Sequence, residues 1–135
     1  MGDHKLFKVN QNAILKSETG DILILKREGK WMLPGGRMEE DETWLEGLQR
    51  EIREETGIRS FVIEKIISTD ISDSGGTYIV TFLCKITGNY EIKLSTEHQE
   101  YAWLNMKDID KYEFCHERIR KILTRLRGAT RLGKK

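Results

Sequence analysis

Two apolar-rich, β-type runs open the chain, Phe7–Lys16 and Asp21–Lys26, separated by "SETG", whose glycine can take positive φ. The spacing predicts two strands joined as a hairpin. Trp31–Leu33 reads as a short third strand, ended by Pro34 and turned sharply by Gly35 and Gly36. Further β-type runs cover Phe61–Thr69, Thr77–Thr87, Tyr90–Leu94 and Tyr101–Leu104. Two stretches carry the other period. Trp44, Leu45, Leu48 and Ile52 line one face of a helix over Trp44–Glu55, and Ile119, Ile122, Leu123 and Leu126 line one over Glu117–Arg127. Thr43 with Glu46 forms a capping-box pattern ahead of the first helix, and Gly57 stands at its C′ position. Strands around two helices far apart in sequence imply an α/β fold, a mixed sheet covered by helices on its faces.

Charge sharpens the first helix. Glu51, Glu54 and Glu55 crowd its C-terminal end, where the helix dipole disfavours carboxylates by roughly 0.3–1 kcal/mol each. At about 100° per residue the three fall on an arc of roughly 100° that borders the apolar stripe. Like charges three and four residues apart repel. Protonation or a bound cation would relieve this, and hard oxygen donors suit Mg²⁺ or Mn²⁺. Gly47 on the same arc leaves room for another group to approach, at a cost of about 1 kcal/mol against alanine. Arg50 is expected on the outer side, where its fork could hold Glu54 or the acidic "MEEDE" segment. A plain solvated acidic face is the alternative.

The whole chain adds bounds. Its 135 residues suit one domain, residues 1–135, with 128–135 expected as a frayed basic tail. A composition 38% hydrophobic and 33% charged, at net charge +1, belongs to a globular protein and points to neither nucleic acid nor membrane as partner. No apolar run approaches the ~18 residues of a spanning helix. Cys84 and Cys115 lack metal-ligand spacing, so a reducing, cytoplasmic setting is expected.

The register Gly36, Glu42, Arg50-Glu51, Ile52, Glu54-Glu55, Gly57, Ile58 resembles the Nudix box without departure. "WMLPGG" before it and "EHQEYAWL" after it resemble the family's surroundings, so the likeness covers most of the chain. The resemblance implies an α/β/α sandwich that hydrolyses nucleoside diphosphates linked to a further group, with Mg²⁺, or Mn²⁺, as cofactor. By position, Glu51 and Glu55 resemble the principal metal ligands, Glu54 a further ligand or the general base, and Arg50 the residue that orients them. Gly36 and Gly57 resemble the bracketing turn residues, Gly36 beside the metal, and Glu42 an acid contacting metal or loop. Glu97 and Glu100 resemble a downstream glutamate that serves as ligand or base. Lys26, Arg27 and Arg37 resemble positions that touch substrate phosphate.

"LPGGR" is similar to nucleoside triphosphate-sanitising members, and "LSTEHQEYAWL" to dinucleoside polyphosphate hydrolases, so both substrate classes stand. The partner implied is a small nucleotide, and the oligomeric state, monomer or homodimer, is open. Trp31 and Trp103 could stack on a base, though Trp103 and Trp44 are expected in the core. His98, beside Glu97, could join a metal site or bind a phosphate, while His4 and His116 carry weaker signals. From Arg118 onward the chain has eight Lys or Arg and no acid, a weak pointer to RNA. Two rivals remain: a non-catalytic nucleotide- or RNA-binding module on the same fold, and an acidic docking helix.

Overall fold

The computed structural model describes residues 2–133, and side chains through residue 129. The strands are β1 (Lys8–Lys16), β2 (Ile22–Arg27), β3 (Lys30–Met32), β4 (Gly35–Arg37), β5 (Phe61–Ile71), β6 (Thr77–Ile86) and β7 (Glu100–Leu104). The helices are α1 (Trp44–Thr56) and α2 (Glu117–Gly133), with a 3₁₀ turn at Met106–Lys111. One mixed sheet runs in the order β3-β2-β1-β6-β5, with β4 added on β1 and β7 on β2.

Alternate residues of the central strands face opposite layers, as a pleated strand requires. Ile14, Ile22, Ile24, Leu83 and Leu104 pack with Ile119, Ile122 and Leu123 of α2. Ala13, Leu15, Leu23, Leu25, Phe82 and Cys84 pack with Leu48 and Ile52 of α1. The fold is therefore the expected sandwich of a mixed sheet between helices. Cys84 is buried in the second layer, and burial pushes its thiol up to about 12. Among the described residues no helix is long and apolar enough to cross a membrane.

Pairing departs from the sequence expectation in four places. The β1–β2 hairpin is joined by a single register pair, Lys16 with Ile22. The main partner of β1 is β6, parallel over its whole length, so β1 lies inside the sheet. Gly35–Arg37, expected as a turn, is a strand paired with Asn10–Asn12, seated where Pro34 offers its carbonyl to the Ala13 amide. Tyr90–Leu94 is not a strand. Its neighbourhood spends its amides on the end of α1: Lys93 N–H donates to the Thr56 carbonyl at 2.8 Å and Ser95 N–H to that of Glu55 at 3.4 Å. Those carbonyls have no partner within a helix.

The helix ends agree with their local chemistry. Thr43 and Glu46 form both bonds of the capping box, and Gly57 exits α1 at φ 82°. Trp44 and Leu45, expected in the core, are 48% and 38% exposed, with Trp44 stacked on Phe82. As the first residues of α1 they sit beyond the edge of the layer that Leu48 and Ile52 fill. Helix α2 runs on to Gly133, past the expected end at Arg127, and Lys134 and Lys135 of the expected frayed tail lie outside the described residues.

Candidate active site

The site is built where the α1 face meets the loop ahead of it and β4. Arg50 is its centre, and it does not point outward as the helical wheel suggests. Its side chain is 17% exposed and its Nε and Nη2 donate to the two oxygens of Glu42 at 2.8 and 3.0 Å. Such a fork combines charge with fixed geometry. Nη1 reaches Glu51 Oε1 at 2.8 Å and Glu54 Oε2 at 3.3 Å, and Nη2 reaches the Arg37 carbonyl at 3.3 Å. The repulsion among the helix glutamates is thus relieved by the Arg50 guanidinium lying among them, and both of its expected partners, Glu54 and the "MEEDE" segment through Glu42, are among the groups it holds.

Electrostatics follows this arrangement. The Arg50 fork and the Glu39 amide pull Glu42 from 4.5 down to about 2. Glu42 in turn holds Arg50 well above the usual arginine value. Burial pushes Glu51 upward, against the pull of Arg50. Glu55, 8% exposed, is also pushed up by burial, against hydrogen bonds from the Gly35 amide at 2.7 Å and from His98 at 2.6 Å.

Two glycines make this packing possible. A Cβ on Gly36 would run into the Glu51 carboxylate. One on Gly47 would meet Glu42 Oε1 at 2.8 Å, so the group that uses the gap at Gly47 is the side chain that anchors Arg50.

The donor set suits a hard divalent cation in kind: three carboxylates within two turns of helix, with the Gly36 backbone pressed against one of them. In position it is not a closed cage. Among the described residues no three His, Cys, Asp or Glu side chains converge as a cation site, because Arg50 and His98 hold the carboxylates. Glu51 and Glu54 each keep an oxygen that accepts no hydrogen bond among the described residues.

Among the described residues Glu97 and Glu100 share no hydrogen bond with the box carboxylates. Glu97 lies 3.8 Å from Arg27 and Glu100 3.8 Å from Lys26, all four on the β2–β7 side. The residue of that loop that enters the site is His98, with a side chain 1% exposed. With Glu55 ionised, its Nε2–H donates to the carboxylate, and Nδ1 is left buried without a partner among the described residues. The sequence offers His98 as a residue that could join the site, and nothing local forecasts its burial or its bond to Glu55. The Arg37 side chain has no ion pair among the described residues.

The NUDIX domain profile matches residues 6–126. A nudix hydrolase of Caenorhabditis elegans is 40% identical over 107 residues, 72% of this chain and 28% of that protein. Nucleoside triphosphatase NudI of Escherichia coli is 35% identical over 98 residues, 63% of this chain and 68% of that protein. The chain thus spans little more than a quarter of the first relative and about two thirds of the second. Among solved structures, a MutT protein from Methanosarcina mazei superposes with a TM-score of 0.76 at 29% identity, covering 99% of this chain and 100% of that one. The capped helix, the carboxylates gathered on Arg50 and a match over nearly the whole length agree, and the chain belongs to the Nudix hydrolase family.

Proposed function

We propose that the chain hydrolyses a pyrophosphate bond in a small nucleotide, a nucleoside diphosphate linked to a further group, with Mg²⁺ as cofactor and Mn²⁺ as a substitute. The observation that carries the reading is Arg50, which gathers Glu42, Glu51 and Glu54 around one guanidinium while Glu55 is fixed beside them. A bound divalent cation would neutralise the diphosphate and lower the pKa of an attacking water. Glu51, Glu55 and the Gly36 carbonyl would hold it. Arg50 is a positioning residue, locked by Glu42. Glu54, whose side chain is 54% exposed, is the group that takes the proton from water.

Arg37, beside Gly36 and without an ion pair among the described residues, receives substrate phosphate. Lys26 and Arg27 already face Glu100 and Glu97, so those glutamates fix the two cations and leave the proton transfer to Glu54. The name of the Escherichia coli relative favours nucleoside triphosphates as first substrates, with dinucleoside polyphosphates beside them. We place the protein in the cytoplasm, where its two free thiols stay reduced.

The test is a screen of nucleoside triphosphates, dinucleoside polyphosphates and nucleotide sugars with Mg²⁺, products identified, beside Glu54→Gln and Glu55→Gln. Turnover that needs Mg²⁺ and falls at least a hundredfold in both variants is the expected result. Calorimetric binding without product from any substrate would replace the reading with a binding module.

A further inference from the structure

Residues 93–99 form a loop whose backbone is tied on two sides. On one side Lys93 and Ser95 donate to the end of α1. On the other, Gln99 N–H donates to the Lys26 carbonyl at 2.7 Å, and Gln99 Oε1 accepts from the Gly29 amide at 3.0 Å. Between these ties His98 N–H closes a turn on the Ser95 carbonyl at 3.2 Å. Backbone bonds therefore place His98, but they do not fix the rotation of its ring about Cβ–Cγ.

Two side-chain atoms of that turn are shut from solvent and have no partner among the described residues, Ser95 Oγ and His98 Nδ1. Both residues flank the same glutamate. Ser95 N–H lies 3.4 Å from the Glu55 carbonyl, and His98 Nε2 lies 2.6 Å from the Glu55 carboxylate. Buried polar groups are normally satisfied, so two orphans in one turn call for each other. Their chemistry is complementary: with Nε2 protonated, Nδ1 is an acceptor, and a serine hydroxyl is a donor that rotates to suit.

We infer that Ser95 is a positioning residue for Glu55: its hydroxyl, turned about Cα–Cβ, donates to His98 Nδ1 and so holds the ring with Nε2–H on Glu55 Oε2. A ring turned over about Cβ–Cγ would present carbon to that oxygen and leave the carboxylate free to swing. With the Gly35 amide on Oε1 and the imidazole on Oε2, Glu55 is fixed in direction while each oxygen keeps a lone pair for a cation. Hydroxyl, imidazole and carboxylate form a chain of the kind that orients ligands around metals. Its role toward the cation rests on the hydrolase reading, whereas the Ser95–His98 bond stands without it.

The experiment compares the wild type, Ser95→Ala, His98→Gln, the double variant Ser95→Ala/His98→Gln, and Thr96→Ala as an exposed control in the same loop. In EDTA, the nitrogen resonance of His98 Nδ1 read by NMR should move to lower field in Ser95→Ala, as an acceptor that loses its donor does, and stay in place in Thr96→Ala. An unmoved resonance in Ser95→Ala overturns the bond. Calorimetric Mg²⁺ affinity should fall about tenfold in Ser95→Ala and hold in the control. Glutamine offers Glu55 an amide N–H without help from Ser95, so His98→Gln and the double variant should bind Mg²⁺ equally. A further tenfold loss in the double variant would mean that Ser95 acts by a route other than His98, and would overturn the inference. If none of the proteins binds Mg²⁺, the hydrolase reading fails while the resonance in EDTA still decides the Ser95–His98 bond.

Discussion

His98 Nε2 and Glu55 Oε2 lie 2.6 Å apart, both side chains almost shut from solvent, 43 residues apart in sequence. The imidazole keeps a buried carboxylate hydrogen-bonded on one oxygen while the Gly35 amide serves the other. His98→Ala would leave one oxygen of Glu55 buried and unpaired, a loss of roughly 1–3 kcal/mol. Urea denaturation of the variant should show it, and His98→Gln should recover part of the loss. Unchanged stability in His98→Ala would remove this role.

Glu42 predicts a pH dependence. Its carboxyl lies near 2 in the folded protein and at 4.5 ordinarily, so the stability it contributes is complete above 4.5 and is lost as pH falls towards 2. Glu42→Gln should be less stable than the wild type at pH 7, and the gap should close between about pH 5 and 2. Parallel stability curves over that range would contradict the assignment.

Gly36→Ala places a methyl group in the space of the Glu51 carboxylate. A displacement on the order of 1 Å at a reacting centre costs about a hundredfold in rate, so kcat should fall by that order. Since Gly36 is half-buried on a short strand, the melting temperature should move far less than the turnover.

Removal of metal is the fourth test. With Mg²⁺ at a hundred times its Kd the fold should gain about 2.7 kcal/mol, a gain erased by EDTA. Glu51→Gln and Glu55→Gln should each shrink the thermal shift while Glu97→Gln leaves it intact. An equal shift in all four proteins would mean that the cation sits elsewhere.

What could be read from the sequence was local. Thr43, Glu46 and Gly57 act within one turn of the residues they cap, so α1 began and ended where its chemistry said. The partners of β1 were illegible because Ala13 meets Phe82 across about half the chain, and no pattern near either residue encodes that pairing. Gly35–Arg37 has no apolar alternation to announce a strand. The partners of Arg50, Glu54 and the loop ahead of the helix, were legible, but its burial was not, because the wheel assigns directions to Cβ atoms, whereas a long side chain can turn back to its anchor. The wheel also gave Trp44 to the core, because periodicity does not say where a layer stops.

The carbonyls at the end of α1 are answered by amides of Lys93 and Ser95, and the same stretch of chain leads directly to His98. Helix end and loop are therefore stitched by bonds that neither can keep without the other. An opening fluctuation that frees His98 must also loosen the turn that presents Glu54 and Glu55. Amide protons of Lys93, Ser95 and Gly35 should then exchange with solvent as one unit, so that the two distant segments share a single lifetime.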